Sequence, residues 1–246
     1  SYKNGYIRFS TPENFREGNA VIAAKNSKGV IIWSWHIWCC EEGWKEQVYY
    51  NDAGTMMDRN LGATSAEPGS VGALGLLYQW GRKDPFLGSS SISSSTEAKS
   101  TIVWPSVVKS NSLSGTIDYA TAYPTTFITY KGTNFDWYYN DLSSIDNTRW
   151  TESNSLKSIY DPCPVGWRVP DGGDNGVWSK ALGSSTSIKH TYDISNMGMN
   201  FSGKFGTASI IWYPGTACRN GEDGDLYNDG EDGMNGEYWA VPSDSD

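Results

Sequence analysis

The sequence predicts an α+β chain of short strands, two short helices and long loops. Three observations lead there. Strong helix formers are scarce, and Gly, Ser, Thr and Asn surround a charged fraction of only 19%, a composition that favours strands and turns. Aromatic residues make up 14% of the 246 positions, with 12 Trp and 15 Tyr; disordered chains are poor in such residues, so a packed core is expected. Short apolar runs recur at irregular spacing, which implies a compact sheet joined by long loops. The length allows one large domain, or one domain with a small appendage.

The first element is a hairpin. "NAVIAAK" and "VIIWSWHIW" flank the turn Asn26-Ser27-Lys28-Gly29. On the second strand Ile31, Trp33, Trp35 and Ile37 share one face, which is wholly apolar and expected to be buried. Ile32, Ser34, His36 and Trp38 share the other, expected to be covered only in part. With no second His nearby, His36 fits a hydrogen-bonded structural role better than that of a metal ligand. Met56 and Met57 read as a short strand leading to Asp58 and Arg59, expected to form a buried or half-buried pair that fixes a turn.

The segment "SVGALGLLYQWGRKDPF" is expected to form the first helix. Leu74, Leu77, Tyr78 and Trp80 fall near helical spacing, Gly81 ends the element, and Arg82 and Lys83 lie just past its C-terminus, where cations are favoured. Leu87 to Lys99 is a serine-rich, mobile loop inserted within a domain. "TIVW", "TTFITY" and "DWYY" read as β-like pieces and "NTRW" as a strand end. Three prolines stiffen "DPCPVGWRVP" and deny it helix. "NGVWSKALG" is the second helix, with Asp174 or Asn175 as its N-cap and Gly183 as its stop. "ASIIWYP" is a strand.

The net charge of −9 disfavours nucleic acid, whose phosphates an acidic surface repels. No apolar run is long enough to span a bilayer, and no basic amphipathic stretch suits a membrane surface. The N-terminus is not a signal peptide, so the protein is either cytosolic or has lost a leader. The four cysteines form no CxxC pair, and His36 and His190 are the only imidazoles; a structural zinc site is poorly supported. Cys39 and Cys40, adjacent on a strand, point to opposite faces and are not expected to pair. Cys163, between two prolines, suits a disulfide whose partner is not obvious.

"RNGEDGDLYNDGEDGMNGEYW", from Arg219 to Trp239, is crowded with carboxylates and glycines. No register gives the Asp-x-Asx-x-Asx-Gly…Glu pattern of an EF-hand. An adventitious calcium held by the carboxylates fits their hard-cation chemistry, and no cofactor is expected. Leu226, Tyr227, Met234, Tyr238 and Trp239 anchor the segment, and its glycines permit tight turns. An ordered loop with outward acidic side chains is therefore expected, which residue chemistry alone reads as a solvated face.

Taken together, "GNAVIAAKNSKGVIIWSWHIW", "MDRNLGA", "GLLYQWGRKDPF", "YDPCPVGWRVP" and "CRNGEDGDLYNDGEDGMNGEYW" resemble the FISUMP (major paralogous) domain family of gut and rumen bacteria, from about Gly18 to Trp239. The resemblance implies a C-type-lectin-like α+β fold. It makes residues 1–17 a lead-in from a preceding domain and residues 18–246 the lectin-like domain. The family usually continues past "GEYW" with further strands, which puts the final strands, and a partner for Cys163, in question. The resemblance also implies an exported bacterial protein of the cell surface or extracellular space, associated with fimbrillin-type adhesins, and no enzyme.

Some family members are similar to the variable proteins of diversity-generating retroelements, whose last loops carry ligand-binding positions. Carried over, that places Cys218, Arg219, Asn220, Asp223, Asp225, Tyr227, Asp229, Asp232 and Asn235 on a ligand-facing surface, over a backbone held by Trp212, Leu226, Tyr238 and Trp239. The implied partner is a protein or glycan on another cell or surface. The lectin sugar-site motifs Glu-Pro-Asn and Trp-Asn-Asp are absent, so calcium-dependent sugar binding does not follow from the fold. Two other functions compete. One is a purely structural pilus or envelope module. The other is a glycoside hydrolase using Asp136 and Asp141 beside Trp137, Tyr138 and Tyr139.

Overall fold

A computed structural model describes residues 2–3, 6–14, 16–130, 135–139, 148–152, 156–182, 190–203, 206–227 and 240. Among these the chain is mixed α and β, with short helices and small, mostly antiparallel sheets. A two-residue ladder pairs β1 (Tyr2–Lys3) with β2 (Tyr6–Ile7). The expected hairpin follows as β3 (Gly18–Lys25) and β4 (Ile31–Cys39). Its turn closes as predicted, with the Gly29 amide on the Asn26 carbonyl at 3.0 Å and the Asn26 side chain accepting from the Lys28 and Val30 amides.

The burial of β4 differs from the expectation. No member of its apolar face is fully buried, whereas Ser34, on the mixed face, is only 1% exposed. An ion pair explains the reversal. Ser34 donates to Asp84 at 2.6 Å, and Lys83 Nζ donates to Ser34 at 2.6 Å and to both Asp84 oxygens at 2.8 Å. Lys83 also lies 4.5 Å from the Trp33 ring centroid. A buried charge is tolerated only with such partners, and Ser34 supplies one.

β5 (Glu46–Val48) pairs with β6 (Thr55–Met57), which confirms the short methionine strand. Asp58 and Arg59 form a bidentate buried pair at 2.8 and 2.9 Å.

The first helix expected between Leu74 and Trp80 does not form. A 3₁₀ turn at Val71–Ala73, capped by the Ser70 hydroxyl, gives way to β7 (Leu77–Tyr78), which pairs with β8 (Pro85–Phe86). Glycines decide this. Gly75 and Gly81 have φ of +71° and +72°, and a Cβ at Gly81 would lie 2.3 Å from Arg149 Nε. Each turns the chain where a helix would have continued.

The serine-rich segment is an ordered turn. The Ser90 amide reaches the Thr96 carbonyl at 2.7 Å and the Ala98 amide reaches Gly88 at 2.9 Å. The buried Ser89 hydroxyl lies 2.8 and 2.5 Å from the carbonyls of Ser91 and Ser94.

β9 (Val108–Lys109) pairs in parallel with β10 (Ile128–Thr129), so "TTFITY" does contain a strand. "TIVW" and "DWYY" do not. Trp137 is instead buried in a bend, its indole N–H on the Trp80 carbonyl at 2.5 Å.

Between β9 and β10 lies a helix the sequence reading missed, α1 (Ile117–Ala122), capped by Thr116 accepting from the Tyr119 amide at 3.1 Å. Arg82, expected beyond its own helix, serves this one. It is 2% exposed. It donates to the carbonyls of Thr126, Tyr123 and Pro124 at 2.7, 3.2 and 3.3 Å. Burial lowers its pKa to about 10, with Asp84 pulling the other way.

β11 (Thr151–Glu152) pairs with β12 (Leu156–Lys157), so "NTRW" does lead into a strand. The second expected helix is present as α2 (Val177–Leu182). Its ladder begins at Gly176, whose carbonyl accepts from Lys180 at 3.0 Å. Asp174 and Asn175 belong to a preceding 3₁₀ turn, and Gly176 stands at the start of the α2 ladder; Gly183 lies outside the described residues. β13 (His190–Asp193), β14 (Gly198–Gly203) and β15 (Gly206–Pro214) form one antiparallel sheet, and β15 contains the expected "ASIIWYP".

The core divides into clusters. Tyr49, Ala53, Ala181, Ile211 and Tyr213 join α2 to the β15 sheet. Trp80, Trp150 and Val169 pack with Tyr160 and Cys163. Ala120, Ile128 and Trp137 gather beneath α1. All four cysteines are free. Cys163 therefore pairs with none of the other three cysteines of this chain, and burial pushes its thiol well up.

Candidate functional site

The acidic segment begins as a tight hairpin. β16 (Cys218–Arg219) pairs with β17 (Leu226–Tyr227), Cys218 opposite Tyr227 and Arg219 opposite Leu226. Local chemistry closes the turn. The Asn220 amide reaches the Asp225 carbonyl at 2.9 Å and the Gly224 amide reaches the Asn220 carbonyl at 2.8 Å. The side chains of Asn220 and Asp223 accept from the amides of Glu222 and Asp225 at 2.7 and 2.9 Å. These are the self-bonding turns that Asn and Asp favour. Gly224 sits at φ +80°, and a Cβ there would fall 2.6 Å from Val107 Cγ1 and 3.0 Å from the Phe127 ring.

Arg219 anchors this turn to the body. Nε and Nη2 both donate to the Leu87 carbonyl, at 3.0 and 2.8 Å, and Nη1 donates to the Gly224 carbonyl at 2.7 Å. Nη2 also pairs with Glu97. The guanidinium thus joins the hairpin to the serine-rich loop.

On the opposite flank stands Tyr130, just after β10. Its amide donates to the Gly221 carbonyl at 2.9 Å and its hydroxyl donates to Glu222 Oε1 at 2.7 Å. The ring lies so close that a Cβ on Gly221 would meet it at 2.7 Å. The hydrogen bond to Glu222, then burial and the charges of Glu222 and Asp223, raise the phenol's pKa. Phe135 follows, 72% exposed, at φ +51°, its centroid 5.2 Å from that of Tyr130.

The expected site residues divide clearly. Asp223 and Asp225 are exposed on the hairpin tip. Cys218 is buried, its Sγ 4.0 Å from the Tyr227 carbonyl, and so does not face outward. Arg219 and Asn220 spend their polar groups on the turn and its anchorage. Tyr227 is half-buried. Asp229, Asp232 and Asn235 lie outside the described residues, as do Tyr238 and Trp239. Of the expected backbone anchors, Trp212 is buried and Leu226 half-buried. Sequence reasoning passed over Glu222, which is exposed beside Asp223, and over Tyr130 and Phe135. Glu222 was legible as one more carboxylate in the run, but nothing in the sequence ties Tyr130 to a residue 92 positions away.

The inner side of the hairpin walls a cleft of about 1260 Å³, with Met57, Trp80, Phe127 and Trp137 among its other walls. Asp136, one of the two carboxylates weighed for hydrolysis, also lines it. One Arg149 nitrogen bridges both Asp136 oxygens at 2.8 and 2.9 Å, and Oδ1 accepts the Tyr138 amide as well. A carboxylate held in this way is a structural counter-ion. Asp141 lies outside the described residues. Among the described residues no three His, Cys, Asp or Glu side chains converge to hold a metal ion, and no helix is long and apolar enough to cross a membrane. Comparison of the chain with protein-family models, with curated proteins and with solved structures finds no match.

Proposed function

We propose that this chain is a non-enzymatic recognition protein displayed at a bacterial cell surface, binding a macromolecular or glycan ligand through the C-terminal loops that begin with the 218–227 hairpin. In this reading the domain is C-type-lectin-like and of the FISUMP kind, exported, and carried with a fimbrillin-type adhesin. Its last loops tolerate variation as those of retroelement-diversified proteins do. One observation carries it. The hairpin backbone is held from the inside, by Arg219 on Leu87, Gly224 and Glu97 and by Gly224 against Val107 and Phe127, while Glu222, Asp223 and Asp225 project outward. Side chains at those three positions are therefore available for contact, and can be exchanged at small cost to the core.

The test is binding by the full chain to arrays of glycans and of extracellular proteins, comparing wild type with Asp223→Ala/Asp225→Ala/Tyr227→Ala/Asp229→Ala. The reading expects ligands that the variant loses while its circular dichroism stays native. Ligands retained equally by both proteins would remove this site, and no ligand at all would favour the purely structural module. A reverse transcriptase gene nearby, with a template copy of the 3′ end, bears separately on whether the loop is diversified.

A further inference from the structure

We propose that the Phe135–Tyr130 ring pair, with Glu222 and Asp223 beside it and Asp225 exposed on the same hairpin tip, is a docking surface for a basic segment of a protein partner, with an arginine or lysine side chain lying on the rings. The inference rests on the recognition reading above and names the partner's chemistry.

Several independent features meet at this place. Phe135 is 72% exposed and holds a left-handed backbone, a conformation uncommon for a bulky residue. Its neighbour Tyr130 is fixed to the hairpin through backbone and hydroxyl together, which sets its ring beside Glu222. The hairpin's own cation is absent from the outer surface, because Arg219 is turned inward to Glu97 and to two carbonyls. Glu222 and Asp223 thus stand beside an aromatic face with no described cation of the hairpin paired to them, the combination that suits a guanidinium or ammonium group. The Tyr130 phenol's pKa is raised first by its hydrogen bond to Glu222, and the charges of Glu222 and Asp223 add to it.

Other occupants fit less well. Among the described residues no three carboxylates converge as a metal cage would. Nucleic acid and anionic glycans bring like charge. A neutral sugar could stack on the rings but would gain little from three carboxylates.

The test uses a fluorescent peptide of alternating Arg and Gly, with matched peptides carrying citrulline or Asp in place of Arg, titrated against the full chain. Binding of the Arg peptide alone is expected. Phe135→Ala should weaken it about fivefold or more, within the range of cation–π contacts, and Phe135→Trp should preserve it. Glu222→Gln/Asp223→Asn/Asp225→Asn should weaken it and flatten its salt dependence. The same number of charges removed at the exposed Glu13, Glu41 and Glu42 should change it little. The proposal is overturned if no peptide binds, if Phe135→Ala binds as wild type does, or if the remote charge set costs as much as the tip set. A hairpin-dependent neutral glycan from the array would overturn this inference and leave the recognition reading standing. An array with no hairpin-dependent ligand would remove both.

Discussion

Arg219 closes a fork on the Leu87 carbonyl, Nε at 3.0 Å and Nη2 at 2.8 Å, across 132 residues of sequence. The same guanidinium binds Gly224 within its own hairpin and Glu97 in the serine-rich loop. It links the hairpin to the serine-rich loop. Replacing it with Met should cost about 2–4 kcal/mol, because two backbone carbonyls lose charged donors. Arg219→Lys should recover less than half, since an ammonium cannot reproduce the planar fork. Glu97→Gln should cost under about 1 kcal/mol, the carboxylate being half exposed. Urea unfolding gives the energies. Hydrogen exchange should show the amides of both 88–98 and 219–226 released together in the Met variant.

Gly224 supplies a second handle on the same turn. An alanine there meets an unfavourable φ of +80° and the Val107 methyl at 2.6 Å. Gly224→Ala should destabilise the protein by about 2 kcal/mol or more. Gly29→Ala, at the same φ of +80° but with no atom within 4 Å, isolates the backbone component and should cost about 1 kcal/mol. Thermal denaturation of the two variants separates strain from clash.

Arg82 is the buried counterpart of Arg219. It bridges the carbonyls that end α1 and lies 5.1 and 5.7 Å from the Phe86 and Trp137 ring centroids. Arg82→Met should cost about 3–5 kcal/mol, since carbonyls stripped of water lose their donor. Arg82→Lys should cost nearly as much, because the site is shaped for several planar N–H bonds. Loss of a cooperative transition in the Lys variant would fit this expectation; a melting temperature close to wild type would contradict it.

What could be read from the sequence was local. The β3–β4 hairpin announced itself because a turn-forming Asn-Ser-Lys-Gly sits between alternating apolar residues. α2 did so because a short periodic run is flanked by glycines. The first part of the acidic segment, Arg219 to Tyr227, was legible as a tight turn because Asn, Asp and Gly alternate there between Arg219 and Leu226; the remainder of that expectation lies outside the described residues. What stayed hidden was set by distant partners or by glycine geometry. Leu74 to Trp80 carry helical spacing, yet Gly75 and Gly81 stand at φ of +71° and +72°, where Leu61 and Arg149 leave no room for a Cβ. Ser34 is buried because of Lys83 and Asp84, some 50 residues on, which inverts the face its apolar neighbours suggested. α1 could have been found, since Thr116 is a cap, Asp118 an acidic first-turn residue and Pro124 a stop. The pairing of Tyr130 with Glu222 could not, because no local pattern encodes it.

His36 makes the stability of this fold depend on pH. Its Nε2 lies 2.8 Å from Asn19 Oδ1 and its Nδ1 lies 3.0 Å from the Tyr78 hydroxyl. Asn19 turns its amide nitrogen to the Gly62 carbonyl at 2.8 Å, so Oδ1 is the acceptor and Nε2 carries the proton of a neutral ring. Nδ1 then accepts from Tyr78. Burial lowers the imidazole pKa from 6.5 to about 4, against an opposing pull from Asp84. Between these values the unfolded chain binds a proton that the folded chain does not. Stability therefore rises with pH across that window. The contribution is fully present above about pH 6.5 and is lost as pH falls toward 4, by up to about 3 kcal/mol. Urea midpoints measured from pH 7.5 down to 4 should fall more steeply for the wild type than for His36→Gln, which cannot take up that proton. The carboxylates titrate in both proteins, so the difference between the two slopes isolates His36. Parallel slopes would mean that the ring is already protonated in the folded chain, or that Tyr78 and Asn19 do not enclose it.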